Sequence, residues 1–374
     1  MPLTWTRMAA VLALMSLPMV GGCKKNILEG YVDGVRWLKT RINSQRNGTA
    51  RLEFDVNPDE TAMLVTAEVN AGYQTHFRTV YDPSERPAFQ AFDWTGTEYS
   101  KTNAGYVSQV STLNWPVSGD DPDLVAGQYT LEFGVVDSNE NYVSQPVFVD
   151  ILLKADDDFS VGELRVDIIY TGGLQDDEDL RGAVDEAKDL WEELYAGMGI
   201  DVDFDELAYD KVDDIEPPAF GDEATYDEIS GSTSLRTVNV VIAPSIVSYD
   251  EIFGIAGDIP GPLIRTGRSA VLISADLSAG PNGVFSAEEK RLLAETMAHE
   301  VGHYLGLFHP VETTWETWDV LDDTPTCDTE FECVEELGDN LMFPFPVCVG
   351  FSCTPQGVLT DEQADVMHRY VGVD

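Results

Sequence analysis

The sequence predicts two consecutive units, an all-β sandwich over residues 49–155 and an α+β unit over residues 160–374. The chain has 374 residues, which leaves room for about two domains with a core each. In the first range, apolar and polar residues alternate in short runs separated by turn-forming residues, which is the pattern of half-buried strands. In the second range, strand patterns are interspersed with stretches in which apolar residues recur at helical spacing.

Composition and charge exclude several classes of protein. Hydrophobic residues make up 43% and charged residues 24%, so the chain is not disordered throughout. Lys and Arg number 22 against 67 Asp and Glu, and the resulting net charge of -45 repels a phosphate backbone. We therefore expect no nucleic-acid partner. The acidity fits a soluble, self-repelling surface, or alternatively a role in calcium binding or in attracting basic substrates.

The first 22 residues have the features of a signal peptide. Arg7 precedes an uncharged apolar run over 8–20, which is too short for a membrane-spanning helix but typical of secretion. The following residues, Val20-Gly21-Gly22-Cys23, resemble the lipobox of bacterial lipoproteins, which implies a lipid-modified Cys23. A plain signal peptide with Cys23 present by chance is the alternative.

The lipobox resemblance implies an exported bacterial lipoprotein held in a membrane by its lipid anchor. Lys24 follows the cysteine, and a residue other than Asp there implies the outer membrane, on its periplasmic or surface side. More than one acyl chain makes such anchoring stable. The polar, basic-leaning stretch that follows predicts a tether, so residues 23–48 are expected to be the lipidated cysteine and a linker.

Four runs of period two predict strands in the first unit. The stretch from Leu124 to Leu131, with Gly127 and Tyr129, resembles the tyrosine-corner region of immunoglobulin-like domains. The resemblance implies an immunoglobulin-like sandwich. The predicted strands cover residues 50–56, 63–69, 129–135 and 147–153.

The second unit begins after the acidic boundary at 155–158. Ser286 and Glu289 form a capping-box pair that predicts the start of a long helix, and Thr360 with Gln363 predicts the start of the last helix. Another helix is predicted from Leu180 to about Met198. Strands are predicted over 164–170, 202–204, 238–242 and 270–273.

The stretch 299–309 holds three of the five histidines of the chain. His299 and His303 are four residues apart, so on a helix they face the same way and can bind one metal ion together. Gly306 can adopt a positive φ, which ends the helix and turns His309 back toward them. Glu300 projects beside the metal. The alternative is that these are core and surface histidines on an ordinary helix that binds no metal.

Three neutral imidazoles with a vacant fourth position suit catalytic zinc. Such a site lowers the pKa of bound water to about 7 and polarises a carbonyl group. Glu300 is then expected to act as the general base and later as the proton donor. The pattern predicts Zn²⁺ as cofactor and hydrolysis of peptide bonds without a covalent intermediate.

The motif His299-Glu300-x-x-His303-x-x-Gly306-x-x-His309 resembles the zinc signature of metzincin metalloproteases. Met342 resembles the methionine of their Met-turn, which lies under the zinc. The resemblance implies a metzincin-type (zincin) α+β catalytic domain over 160–374 and an endopeptidase that acts on extracytoplasmic proteins or peptides.

Within the metzincins, residues 319–325 resemble the DxVxDTP segment of the pappalysin family. That resemblance implies calcium at Asp319, Asp322 and Thr324, whose oxygen atoms suit this ion, and a solvated acidic loop without an ion is the alternative. The sequence departs from the family at Pro344, where a tyrosine usually helps to stabilise the oxyanion, and at Pro310. Metzincins also bind extended substrate along an edge strand, which we expect to be residues 269–274, and an ordinary strand of the sheet is the alternative for this stretch.

The four remaining cysteines lie close together in the sequence. Their even number in an exported chain predicts two disulfides, with all three pairings open. A structural zinc site is the alternative, although the gaps lack short CxxC pairs. These residues are Cys327, Cys333, Cys348 and Cys353.

Two rival functions remain beside the zinc endopeptidase. One is a weakly active or inactive surface lipoprotein that binds partners with a metzincin fold, and Pro344 is its best support. The other is a zinc hydrolase that acts on an amide other than a peptide bond. An intact Glu300 and three intact ligands favour the peptidase.

Overall fold

The structure is a computed structural model. It describes residues 27–32, 34–91, 101–156, 158–209, 229–230, 236–246, 252–279, 283–349 and 352–374. The signal peptide over 1–22 and Cys23 lie outside these residues and stay predictions. Within the described ranges, no helix has both the length and the apolar character needed to span a bilayer.

The first half of the chain forms two antiparallel sheets whose buried residues belong to one core. The five-stranded sheet has the order β1-β2-β9-β4-β7, and the four-stranded sheet has the order β3-β8-β5-β6. All four strands predicted here are present. The strands are β1 (Leu28–Val32), β2 (Val35–Asn43), β3 (Thr49–Val56), β4 (Ala62–Val69), β5 (Tyr73–Tyr81), β6 (Pro87–Gln90), β7 (Val110–Trp115), β8 (Gly127–Asp137) and β9 (Pro146–Lys154).

The tether expected over 23–48 is wrong for most of its length, because β1 and β2 lie within it. Strand β2 pairs with β9 and buries Leu38 and Ile42 in the core. Lys39 and Arg41 are exposed, and Lys39 forms an ion pair with Asp150 at 3.4 Å. Arg36 is instead buried and paired with Glu60 at 2.6 Å. The basic residues of this stretch therefore belong to a strand, two on its exposed face and one in a buried ion pair.

The Tyr129 side chain is buried, and its hydroxyl accepts a hydrogen bond from the backbone N–H of Val125 at 3.0 Å. A tyrosine that bonds to backbone a few residues upstream is the contact expected of a tyrosine corner. The immunoglobulin-like assignment itself stays a prediction.

The second half is built on a five-stranded sheet with the order β11-β10-β12-β14-β13. Neighbouring strands are parallel except for β13, which is antiparallel to β14. Its strands are β10 (Gly162–Thr171), β11 (Ile200–Tyr209), β12 (Val238–Ala243), β13 (Gly254–Ala256) and β14 (Val271–Ser274), and a small hairpin pairs β15 (Cys348–Val349) with β16 (Ser352–Cys353). The helices are α1 (Glu178–Ala196), α2 (Ala275–Ser278), α3 (Ala287–Leu305), α4 (Glu330–Leu337) and α5 (Asp361–Arg369).

Both predicted capping boxes are present. Ser286 caps α3 and Thr360 caps α5, each in a reciprocal pair with the side chain of Glu289 or Gln363. The side chains satisfy backbone N–H groups that have no partner inside a helix, so these starts are fixed locally.

The strand expected at the sheet edge lies inside the sheet. Strand β14, within 269–274, has β12 on one side and β13 on the other. The edge is β13, a three-residue strand too short to give a period-two signal. The edge-strand expectation for 269–274 is therefore wrong, and β13 takes this position.

The two halves are joined by buried polar contacts. The amide of Asn114 donates to the carbonyl of Arg369 at 2.9 Å and accepts from the N–H of Val371 at 3.2 Å. Lys154 is buried and donates to the carbonyl of His368 at 3.1 Å. One hydrophobic cluster contains residues from both halves. The first half is therefore packed against the C-terminal part of the second.

Candidate metal centre

Three histidines converge at the end of α3. His299 and His303 lie one turn apart on the helix, and Gly306 ends it with φ +119°. A positive φ is the conformation that glycine adopts at no steric cost, as the sequence predicted. The turn brings back His309, and the nitrogen atoms of the three rings that could serve as ligands lie within 4.8 Å of one another.

The rings on α3 are oriented by backbone carbonyl groups. Nδ1 of His299 lies 2.7 Å from the carbonyl oxygen of Leu341, and Nδ1 of His303 lies 2.7 Å from that of Leu307. A carbonyl oxygen only accepts, so each Nδ1 carries the proton. The lone pair of each neutral ring is then on Nε2.

His309 is oriented by a carboxylate. Its Nδ1 lies 2.7 Å from Oε1 of Glu312, which is also an acceptor. Nε2 of His309 therefore carries a lone pair, and it lies 3.1 Å from Nε2 of His303. Two lone pairs at this distance repel each other unless a cation lies between the rings. The chemistry of the donor set fits a shared metal ion.

The spacing also fits zinc. Zinc–nitrogen bonds of about 2.0–2.1 Å in tetrahedral geometry place ligand nitrogens about 3.3 Å apart. The 3.1 Å between Nε2 of His303 and Nε2 of His309 is close to that separation. Each ring also has the acceptor for its second nitrogen that metal-binding histidines generally have.

Burial keeps the two helical histidines neutral. It lowers the pKa of His299 to about 3, helped by repulsion from His309, and lowers the pKa of His303 well below its ordinary value. A metal ion binds the neutral imidazole, so these shifts keep the ligands available below neutral pH.

The side chain of Glu300 extends from α3 toward the edge strand β13. Burial raises the pKa of its carboxyl group to about 8, against the opposing effect of a hydrogen bond from the backbone N–H of Ala256. A Cβ atom added at Gly254 would lie 2.6 Å from Cγ of Glu300. Gly254 therefore leaves room for the Glu300 side chain against the strand.

Met342 packs beneath the histidine helix and is fully buried. A Cβ atom added at Gly302 would lie 2.6 Å from its sulfur, so the glycine lets the methionine approach the backbone. The turn is held by Asn340, whose Oδ1 accepts from the N–H of Met342 at 2.8 Å and whose Nδ2 donates to Gln363 at 2.9 Å.

A cavity of about 680 Å³ opens at the histidines and Glu300. Its walls are β13 with the loop after it, α3, and the segment 343–346, which includes Pro344. Asn103 from the first half of the chain also lines it. An open cavity beside a sheet edge can accommodate an extended chain.

The residues predicted to bind calcium fall into two groups. Asp319 and Thr324 are buried and hydrogen-bonded to each other, and Oδ2 of Asp319 has no hydrogen-bond partner among the described residues. The carboxylate of Asp322 instead lies within 4.8 Å of those of Asp120 and Glu362.

The four cysteines form two disulfides between sequence neighbours. Cys327 is bonded to Cys333 and Cys348 to Cys353, which selects one of the three open pairings and excludes a zinc site made of their thiolates. The second disulfide lies against α3, because the N–H of Cys353 donates to Glu288 at 2.7 Å.

The sequence did not indicate every residue of the site. Glu312 follows His309 by three residues, and the need of a metal-binding histidine for a second acceptor is a signal that could have found it. The carbonyl groups of Leu307 and Leu341 gave no such signal, because every residue has one. Strand β13 was also missed.

No protein-family model matches the chain, and no curated protein matches it. Among solved structures, an archaemetzincin from Methanopyrus kandleri aligns at 13% identity with a TM-score of 0.27, over 55% of this chain and 86% of that one. Metalloproteinase-II from Bacteroides fragilis aligns at 12% identity with a TM-score of 0.31, over 63% of this chain and 64% of that one. The chain thus spans just under two thirds of the second structure. Likeness at this level does not identify an activity, so function follows from the geometry of the site.

Proposed function

We propose that the protein is a zinc-dependent endopeptidase of extracytoplasmic proteins or peptides. One observation carries the proposal: ring nitrogens of His299, His303 and His309 converge in an open cavity that Glu300 also lines. The three rings offer lone pairs to a single cation, and no other described side chain is grouped with them as a ligand. A fourth position is therefore left for water or substrate.

In hydrolysis, Glu300 transfers protons and β13 holds the substrate. Zinc, when bound, supplies a Lewis acid and lowers the pKa of water. Glu300 takes the proton of the attacking water and gives it to the leaving amine, the two transfers of a general base that then acts as a general acid. Among the described strands, none pairs with the outer side of β13, and that edge offers backbone groups that can hold an extended peptide.

Pro344 favours a second candidate, a surface protein that binds peptides but cleaves them weakly. It lines the cavity where the pappalysin resemblance implies a tyrosine, and proline has neither a hydroxyl group nor a backbone N–H to donate. Loss of one donor to the developing oxyanion lowers rates by about 100- to 1000-fold in other hydrolases.

The decisive experiment combines metal analysis with proteolysis. We expect about one zinc per chain, cleavage of casein, and loss of cleavage on chelation with recovery after zinc is restored. Glu300→Gln should lower cleavage by at least about 100-fold while zinc remains bound, because only the proton transfer is lost. The exposed Glu335→Gln is the matched control. Retained cleavage in Glu300→Gln would contradict the proposal, and bound zinc without cleavage by the wild-type protein would favour the weakly active binder.

We also propose calcium binding and lipid anchoring. Calcium is proposed at Asp319 and Thr324, where the unpartnered Oδ2 of Asp319 supports it. Asp322, the third residue expected to bind this ion, lies instead with the carboxylates of Asp120 and Glu362 and is left out of the proposed ligand set. Cys23 is proposed as the lipidated residue of an outer-membrane lipoprotein. Incorporation of labelled fatty acid should be lost in Cys23→Ser, and labelling that persists would contradict the anchor.

A further inference from the structure

A short turn of the first half reaches the cavity of the second. The 3-10 turn Asn103–Gly105 contacts the loop that follows β13, where the N–H of Asn103 donates to the carbonyl of Ile259 at 2.9 Å. The hydroxyl of Thr102 donates to the same carbonyl at 3.4 Å. The two halves therefore meet beside the substrate-binding edge.

This turn is firmly attached to its own sheet. The Thr102 hydroxyl accepts from the N–H of Ala104 at 3.2 Å, and the Ser111 hydroxyl on β7 donates to the carbonyl of Ala104 at 3.0 Å. Thr102 and Ala104 are both buried. Asn103 is thus presented from a rigid element, which favours a defined contact with a ligand.

The side chain of Asn103 is half-buried and lines the cavity. It is hydrogen-bonded to the carboxylate of Asp258, which also attracts the guanidinium group of Arg268. Arg268 donates to the carbonyl of Gly257 at 2.9 Å, and both Asp258 and Arg268 line the same cavity. The three side chains form a polar cluster contributed by both halves of the chain.

The cluster lies just beyond the proposed reacting centre along the sheet edge. The N–H of Ala256 is hydrogen-bonded to Glu300, and Asp258 is two residues further along the chain. Strand β13 ends at Ala256, and residues 257–260 form bends that follow it. A peptide that follows β13 past Glu300 therefore meets this cluster near the end of the strand.

We propose that the first half is part of the substrate-binding cleft, and that Asn103, Asp258 and Arg268 form a polar subsite for the extended peptide. The proposal rests on the proposed peptidase function. An amide, a carboxylate and a guanidinium group together offer donors and acceptors that suit peptide N–H and C=O groups. The first half then does more than separate the catalytic half from the membrane, and peptides that reach the subsite should bind more tightly than shorter ones.

The test measures peptide binding without turnover. In the Glu300→Gln background, we would measure the Kd of a ten-residue peptide and of versions shortened by three residues from either end. Asn103→Ala should weaken binding of the long peptide by about five- to tenfold, the loss expected for one or two hydrogen bonds. It should leave unchanged the Kd of the version shortened at the end that contacts the subsite.

Two further variants make the result decisive. Asn103→Asp keeps the size of the side chain but faces Asp258 with a second carboxylate, so it should weaken binding of the long peptide similarly. Tyr106→Ser changes an exposed residue beside the same turn and should bind like the parent protein. Thermal unfolding of each variant confirms that the turn has not simply unfolded the protein. An unchanged Kd of the long peptide in both Asn103 variants would overturn the inference.

The outcome is separable from that of the proposed function. If the wild-type protein does not cleave casein, the peptidase proposal fails, while the Kd comparison still reports on the subsite. If the wild-type protein cleaves the long peptide and Asn103→Ala cleaves it with the same kcat/KM, the subsite proposal fails and the peptidase proposal stands.

Discussion

Each proposed metal ligand is oriented by an acceptor from a different place in the chain. His303 uses a carbonyl four residues away, His309 uses Glu312, and His299 uses Leu341, which is 42 residues away. These acceptors fix the protonated nitrogen and turn the other nitrogen toward the shared point. The site therefore depends on residues outside the histidine motif.

Glu312 should strengthen zinc binding through His309. Glu312→Ala removes both the acceptor and the charge, and we expect zinc affinity to fall by about 10- to 100-fold. Glu312→Gln keeps an acceptor oxygen and should lose less. Competition with a chromophoric chelator measures both variants, and equal zinc affinity in wild type and Glu312→Ala would show that this contact has no such role.

Asp319 should make stability depend on pH. Burial raises its pKa to about 7, so between its ordinary pKa near 3.8 and that value the folded protein binds more protons than the unfolded chain. The free energy of unfolding should therefore decrease as pH rises from about 4 to about 7. Asp319→Asn should lack this decrease in calcium-free urea titrations.

The exposed Asp123→Asn is the control for this prediction. Its pH dependence should match that of the wild-type protein, and a parallel pH curve for Asp319→Asn would contradict the role of Asp319. Added calcium should stabilise the wild-type protein near pH 8, because the bound ion compensates the buried charge, and it should leave Asp319→Asn unaffected.

At the scale of elements, α3 carries a capping box at its first turn and two of the proposed metal ligands near its end. Ser286 fixes the first residue of the helix and Gly306 fixes its last. The positions of His299 and His303 along the helix, over the buried Met342, are therefore defined. Strand β13 is the second element of the site, because it is the last described strand of the sheet, contacts Glu300 through Ala256 and lines the same cavity. The site lies where a helix end meets a sheet edge.

Removing the cap of α3 should lower stability without touching the site. Ser286→Ala deletes the hydroxyl that accepts from the N–H of Glu289, and we expect a loss of about 1 kcal/mol in the free energy of unfolding. Urea denaturation measures it, with the exposed Ser84→Ala as control. Zinc affinity should be unchanged, because the histidines lie more than three turns away, and a loss well below 0.5 kcal/mol would contradict the capping role.

At the scale of the whole molecule, the two halves share one hydrophobic core. Apolar residues of both belong to one cluster, and buried polar side chains join β7 and β9 to the C-terminal segment. The same arrangement places Asn103 at the cavity. The packing of the halves thus decides the shape of the cleft as well as stability.

Asn114 should contribute measurably to the stability of the contact between the halves. Asn114→Ala leaves the buried N–H of Val371 and the carbonyl of Arg369 without this partner. We expect the free energy of unfolding to fall by about 1–3 kcal/mol. Circular dichroism during urea titration measures the loss. The exposed Asn139→Ala should differ from wild type by less than about 0.5 kcal/mol, and an equal effect of the two variants would exclude a special role for Asn114.

The local features of this protein were readable from its sequence. Both capping boxes, the eight predicted strands and the helical turn ended by Gly306 are present, because each depends on residues within a few positions of one another. The ligand set was readable for the same reason, since His299, His303 and His309 lie within 11 residues.

Tertiary structure decided what depends on distant residues. The stretch expected to be a tether contains β2, and the cysteines are paired 327–333 and 348–353. The strand at the sheet edge is β13, and Asn103 contacts Asp258 from the other half of the chain. Thr102 and Ile259 are 157 residues apart in the chain, and no periodicity or cap reports such a contact. Short-range patterns determine where helices and strands form and which side chains can bind a metal. The burial of whole faces determines which of them meet, because that free energy is gained only when distant elements pack together.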